Sequence, residues 1–90
     1  MFWDARIKCE KMGINYLDNI LEQAASWKID YLEKEKKGDV IEITTTYGWP
    51  TARLVVEDDK VTFYFNYQPF EYKRLIDDKK IIKQIKQAIK

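Results

Sequence analysis

The chain has 90 residues, enough for one small domain, so we expect residues 1–90 to share a single core. Its composition is 46% hydrophobic and 34% charged with a formal net charge of +1, as in ordinary folded domains. It has no histidine and one cysteine, Cys9, which excludes Ser-His-Asp and Cys-His catalytic sites, internal disulfides and cysteine-rich zinc sites. We therefore expect no enzymatic activity, no cofactor and no metal, and a reducing, cytoplasmic setting.

The apolar runs of the chain are short. None approaches the roughly 20 residues that a membrane-spanning helix needs. The N-terminus also lacks the pattern of a signal peptide. We therefore expect no membrane association.

The first half of the chain predicts a long amphipathic helix over residues 14–37. Its apolar residues recur at spacings of three and four and form one stripe: Ile14, Leu17, Ile20, Leu21, Ala24, Trp27, Tyr31 and Leu32. A lysine-rich segment ending at Gly38 suits the C-terminus of that helix. Residues 1–13 form an N-terminal extension that alternates like a strand, yet Gly13 suits the C-cap of a short helix, and we favour the helix.

The period changes to two over residues 39–68, which predicts three strands with one apolar face. The residues of that face are Ile41, Ile43 and Thr45, then Ala52, Leu54 and Val56, then Val61, Phe63, Phe65 and Tyr67. Loops at residues 47–50 and 58–59 place Leu54 opposite both Ile43 and Phe63. The expected sheet is an antiparallel meander with the second strand at its centre.

The last segment predicts a helix over residues 77–90, capped by Asp77 or Asp78. Its apolar stripe consists of Ile81, Ile82, Ile85, Ala88 and Ile89. The fold class is then α+β, a two-layer α-β-β-β-α domain. We expect both helices on the apolar face of the three-stranded antiparallel meander, with the other face left open.

The open face of the predicted sheet is the first candidate site. Arg53 lies opposite both Thr44 and Tyr64, and an arginine beside a tyrosine is typical of protein interfaces. We add Thr46 on the first strand and Trp49 at the following loop tip to this candidate protein-binding site. The alternative interpretations are an ordinary threonine-rich exposed face and a tryptophan folded back onto the core.

The first predicted strand, over residues 40–47, is expected at an edge of the sheet. From its start at Val40 to its end at Tyr47 it contains neither proline nor lysine, the residues that commonly discourage pairing with another chain. An edge of this kind favours homodimerisation or the addition of a partner strand.

The final helix carries the second candidate site. Its polar side bears four lysines suited to phosphate binding, namely Lys79, Lys80, Lys83 and Lys86. A meander followed by lysines at a helix start resembles the double-stranded-RNA-binding domain in topology, over about residues 14–90, and the resemblance implies binding of duplex nucleic acid. The chain departs from that family at residues 48–51, which lack the family's histidine, and at Asp77 and Asp78, which repel phosphate. A solvated lysine face is the ordinary interpretation.

A third hypothesis is a metal-dependent nuclease that uses the acidic residues near the hairpin turns. The residues concerned are Asp39, Glu57, Asp58 and Lys60. Acidic residues also favour tight turns, which is the interpretation we prefer. Taken together, the sequence predicts a small non-enzymatic protein-interaction module, a regulator or inhibitor, with binding of duplex RNA or DNA as the alternative.

Overall fold

A computed structural model describes residues 2–48 and 50–89, apart from the side chains of residues 2 and 3. Its elements in chain order are α1 (Phe2–Ala25), β1 (Glu33–Lys37), β2 (Val40–Thr46), β3 (Thr51–Val56), β4 (Val61–Tyr67), β5 (Phe70–Ile76) and α2 (Lys79–Ala88). The five strands form one antiparallel sheet in chain order, and the helices pack on it. The α+β class is confirmed, whereas the predicted count of three strands is wrong. The α-β-β-β-α order that resembled the RNA-binding family is therefore wrong as well.

The three predicted strands are β2, β3 and β4, and their predicted registers are confirmed. Leu54 pairs with Ile43 on one side and with Phe63 on the other, and all three side chains are fully buried. Alternation along these strands directs the apolar residues to the helices. β3 lies at the centre of the sheet, as predicted.

The first helix is longer at its start and shorter at its end than predicted. The predicted N-terminal extension is the first half of α1, and Gly13 is an interior residue of that helix rather than its C-cap. A Cβ at Gly13 would come within 2.6 Å of Cδ2 of Tyr72 on β5. This glycine therefore allows the helix to approach the sheet closely.

The helix predicted over residues 14–37 is wrong beyond Ala25, because the chain leaves α1 through a Schellman turn. The N–H of Trp27 donates to the Ala24 carbonyl at 2.9 Å, and the N–H of Lys28 donates to the Gln23 carbonyl at 3.3 Å. Trp27 occupies the left-handed position of this turn, with φ of 65°, where glycine is usual. Ile29, which follows, is buried, and its N–H donates to the Ala88 carbonyl at the end of α2.

After this turn, residues 33–37 form β1 and pair with β2. Lys34 lies opposite Ile43 and Lys36 opposite Ile41. The Lys34 ammonium donates to the Ile89 carbonyl at 3.0 Å, so its charge lies at the C-terminal end of α2 rather than of α1. The prediction that residues 40–47 form an edge is also wrong, because β1 covers that strand, and the proposed homodimer contact at Val40 to Tyr47 loses its basis.

The end of the chain follows the prediction more closely. Asp78 is the N-cap of α2, and its carboxylate accepts hydrogen bonds from the N–H groups of Lys80 and Ile81 at 2.9 and 3.2 Å. The apolar stripe of α2 is buried in the shared core, except for Ile81, which is partly buried against it. Between β4 and this helix, the turn at Gln68 and Pro69 leads into β5, which the sequence analysis did not predict. Within residues 2–48 and 50–89, no helix combines the length and apolar character that a membrane crossing requires.

The close contact between α1 and β5 makes Gly13→Ala a destabilising substitution. Alanine favours a helix interior over glycine by about 1 kcal/mol, but the added methyl group must displace the Tyr72 ring, and overpacking of this kind costs about 1–3 kcal/mol. We expect a lower urea midpoint for Gly13→Ala. The matched control is Asn19→Ala on an exposed position of α1, which should be neutral or stabilising. A Gly13→Ala protein as stable as the control would contradict the close approach.

At Trp27, by contrast, the backbone conformation favours glycine. A left-handed conformation is costly for any residue with a Cβ, so Trp27→Gly should have a free energy of unfolding about 1 kcal/mol higher than Trp27→Ala. The tryptophan is 54% exposed, so part of its surface is buried, and its loss costs some packing in either variant. Trp27→Ala is therefore the matched reference, because it also lacks the indole but keeps the Cβ. Equal stabilities of the two variants in thermal unfolding would argue against the strained turn.

Candidate functional site

The sheet face that points away from the core is the candidate site, and we call it the open face. Its central row crosses all five strands, since each residue of the row pairs with the next: Glu33, Thr44, Arg53, Tyr64 and Lys73. A second row runs beside it and consists of Glu35, Glu42, Val55, Thr62 and Leu75. The predicted neighbours Thr44, Arg53 and Tyr64 therefore do lie side by side.

Arg53 is held in place at the centre of the open face. Its guanidinium carbon lies 4.6 Å from the centroid of the Tyr64 ring, and its Nη1 lies 2.9 Å from Oε1 of Glu42. The Lys73 ammonium lies 5.6 Å from the same ring. The Arg53 and Glu42 side chains are about one-third exposed, so their ion pair adds at most about 1 kcal/mol to stability. Its main effect is to orient the guanidinium over the ring.

Charge is divided across the open face. Carboxylates gather on β1 and β2, where Glu33, Glu35 and Glu42 border a cavity of about 370 Å³ that Arg53 also lines. The Tyr47 hydroxyl donates to the Glu33 carboxylate at the rim, and this hydrogen bond raises the pKa of the tyrosine. The cations Arg53 and Lys73 lie on β3 and β5. The open face therefore has an acidic side, where the Lys37 ammonium lies 3.5 Å from the Glu35 carboxylate, and a cationic aromatic side.

Two predicted site residues do not join this row. A bulge between Thr44 and Thr46 places Thr46 opposite Ala52, whose side chain is buried on the helix-covered face. The extra residue, Thr45, donates its hydroxyl to the Ala52 carbonyl at 3.2 Å. Trp49 lies outside the described residues.

Glu33, Glu35 and Lys73 do not follow from the sequence, because they lie on the two unpredicted strands. The sequence pattern places Glu33 and Glu35 in the helix over residues 14–37, and Lys73 in the connection before the last helix. The signal that was present is the alternation of Glu and Lys over residues 33–36. An alternating pattern of charges is compatible with an exposed strand, but it has no apolar face that would identify one.

The lysine cluster of α2 lies beside aspartates. Lys79, Lys83 and Lys86 border a groove of about 520 Å³, which is also lined by Asp58, Asp59 and Asp77. The Lys86 ammonium donates to the Asp58 carbonyl at 2.8 Å and lies 3.7 Å from its carboxylate. Lys80 stands at the start of α2, where its N–H bonds the Asp78 cap. One of the four lysines is thus tied to the β3–β4 turn.

The acids of the nuclease hypothesis fall in turns. Asp39 lies between β1 and β2, and Asp58 lies between β3 and β4. The neighbouring Glu57 carboxylate is 4.0 Å from the Lys60 ammonium. Among the side chains that the structure describes, no group of three or more acidic or cysteine residues is arranged to hold a metal ion.

Comparisons with models of protein families, with curated proteins and with solved structures found no match. Among the described side chains, the open face brings Arg53 and Lys73 against the Tyr64 ring, with Glu42 paired to Arg53. The groove of α2 brings Lys86 against Asp58.

Cys9 lies in the core, only 2% exposed, and burial raises the pKa of its thiol. Above pH 9, the ordinary value, the thiol of the unfolded chain ionises while that of the folded chain stays neutral, so the folded state loses stability as the pH rises. The stability advantage of wild type over Cys9→Ala should therefore shrink between about pH 7 and pH 10, as measured by urea unfolding. A difference that stays constant would contradict the raised pKa.

Proposed function

We propose that the protein is a small non-enzymatic interaction module whose open face binds another protein, as a regulator or an inhibitor. The observation that carries this proposal is the Arg53 guanidinium, held between the Glu42 carboxylate and the Tyr64 ring on a sheet face that faces away from both helices. Arginine and tyrosine are among the residues that contribute most to binding energy at protein interfaces.

The arrangement lowers the cost of binding. A side chain that is already fixed in the free protein loses little conformational entropy when a partner covers it. Arg53 is fixed by two contacts, and Tyr64 lies between Arg53 and Lys73. All three side chains keep part of their surface exposed, so a partner can reach them.

The division of charge defines the chemistry of the partner. A complementary surface presents lysine or arginine opposite Glu33 and Glu35, and a carboxylate or an aromatic ring opposite Arg53 and Lys73. Charge complementarity of this kind fixes the orientation of a partner and accelerates association. The partner is therefore a folded or extended protein surface with both signs of charge.

The alternative remains nucleic-acid binding through the lysines of α2. Phosphate binding there requires Lys86 to leave its contact with Asp58, and Asp59 and Asp77 oppose a phosphate in the same groove. The two functions differ in salt dependence, because release of counterions from nucleic acid makes binding fall steeply with salt.

The test begins with capture from a lysate of the source cells, with and without nuclease treatment, using immobilised wild type beside Tyr64→Ala and Arg53→Ala. A protein identified by mass spectrometry is then titrated against each variant. We expect Tyr64→Ala to weaken its binding by about tenfold or more, the scale of a central interface residue.

The control variants are Lys79→Ala and Lys83→Ala in the groove of α2, which should bind the captured protein like wild type. Capture that is unchanged by Tyr64→Ala and Arg53→Ala contradicts the proposal. A ligand that disappears with nuclease treatment, and whose binding falls with the two lysine variants and with salt, favours the nucleic-acid alternative.

A further inference from the structure

The two edge strands of the sheet, β1 and β5, differ in whether they can pair with a second copy of themselves. Two copies related by a two-fold axis normal to the sheet pair antiparallel, and directly opposite residues lie on the same face. Because side chains alternate between the two faces along a strand, directly opposite residues have numbers that are both even or both odd. Each possible register is therefore centred on one residue that lies opposite its own copy, which leaves only a few registers to consider for each edge.

On β1 every such register opposes like charges. A pair centred on Glu35 places that residue against itself and Lys34 against the partner's Lys36, and a pair centred on Lys36 or Lys37 opposes lysines. Like charges directly opposite one another destabilise a sheet. The β1 edge is therefore protected against self-pairing.

On β5 one register stands out. When Tyr72 lies opposite the partner's Tyr72, Glu71 lies opposite the partner's Lys73 and Phe70 opposite the partner's Arg74. The first pair joins opposite charges on the open face, and the second places a cation beside an aromatic ring. Both pairs occur twice because of the symmetry. Shifting the register by one step either way opposes two glutamates at position 71 or two lysines at position 73.

The helix layer supports the same axis. α1 packs over β4 and β5, and Gly13 brings it close to Tyr72, so an axis at Tyr72 sets the two α1 helices side by side. Next to Gly13, the apolar Ile14 is 38% exposed and borders a groove of about 220 Å³, which the helix-face residues Tyr72 and Ile76 of β5 also line. A second α1 would cover Ile14.

We propose that two copies of this chain associate through β5, in antiparallel register centred on Tyr72, to form a continuous ten-stranded sheet with α1 packed against α1. Among the described residues β5 is an outer strand of the sheet, and its residues 71–76 pair with no strand on the side away from β4. This inference does not rest on the proposed function, because the open face stays uncovered in both copies.

The test is sedimentation equilibrium at protein concentrations from low micromolar to millimolar. Wild type should self-associate. Glu71→Lys opposes two lysines in each symmetric pair, Lys73→Glu opposes two glutamates, and either change should weaken association by about tenfold. The double variant restores opposite charges and should associate like wild type. All three variants lie at exposed positions, and circular dichroism verifies that they fold.

Two further variants separate this contact from other modes of association. Ile14→Asp should weaken association, whereas Lys36→Glu on the other edge should leave it unchanged. A protein that is monomeric throughout the concentration range overturns the proposal, and so does a double variant that associates no better than the single ones. Neither result bears on binding of a different protein at the open face, which is measured separately by capture.

Discussion

The fold depends on the turn that ends α1 at Ala25. The apolar stripe of the helix continues in sequence as far as Leu32, but the chain leaves the helical path where Trp27 adopts a left-handed conformation and Ile29 enters the core. Two hydrogen bonds then hold the following segment to the end of α2, where the N–H of Ile29 and the ammonium of Lys34 satisfy terminal carbonyls. β1 is exposed along its whole length, so these anchors compensate for its lack of buried surface.

The surfaces of the molecule follow from that turn. Once β1 pairs with β2, its glutamates complete the acidic side of the open face, opposite the Arg53 and Tyr64 pair. Because β1 pairs with β2, β1 becomes one edge of the sheet, and its alternating charges oppose pairing with a second copy. The other edge, β5, has a register in which two copies can pair. One local backbone conformation thus determines both the charge of the candidate binding face and the side on which a second copy can add.

The sequence predicts this structure where one face of an element is apolar. Strict alternation gave the registers around Leu54, and a polar N-cap before an apolar stripe located α2. Prediction from the sequence fails where contacts between distant residues determine the secondary structure. The sequence around Gly13 favours a helix end, because nothing local indicates that this glycine faces a tyrosine 59 positions later. The charged residues of β1 carry no period-two apolar pattern, so nothing in the sequence identifies it as a strand. In β5 the alternation of Phe70 and Tyr72 with charged residues breaks at Arg74, which leaves the pattern too short to identify a strand. The same holds for the candidate site. Arg53 and Tyr64 could be predicted because they lie on predicted strands, whereas Glu33 and Lys73 could not.

The most direct test of this account concerns residues 33–37, since both the open face and the edges depend on their pairing with β2. Nuclear Overhauser effects between backbone protons, together with Cα chemical shifts, distinguish a strand from a helix at these positions. The account predicts cross-strand contacts between Lys34 and Ile43 and between Lys36 and Ile41, with strand-like shifts. Helical shifts and contacts between residues three apart along the segment from Trp27 to Lys37 would contradict it.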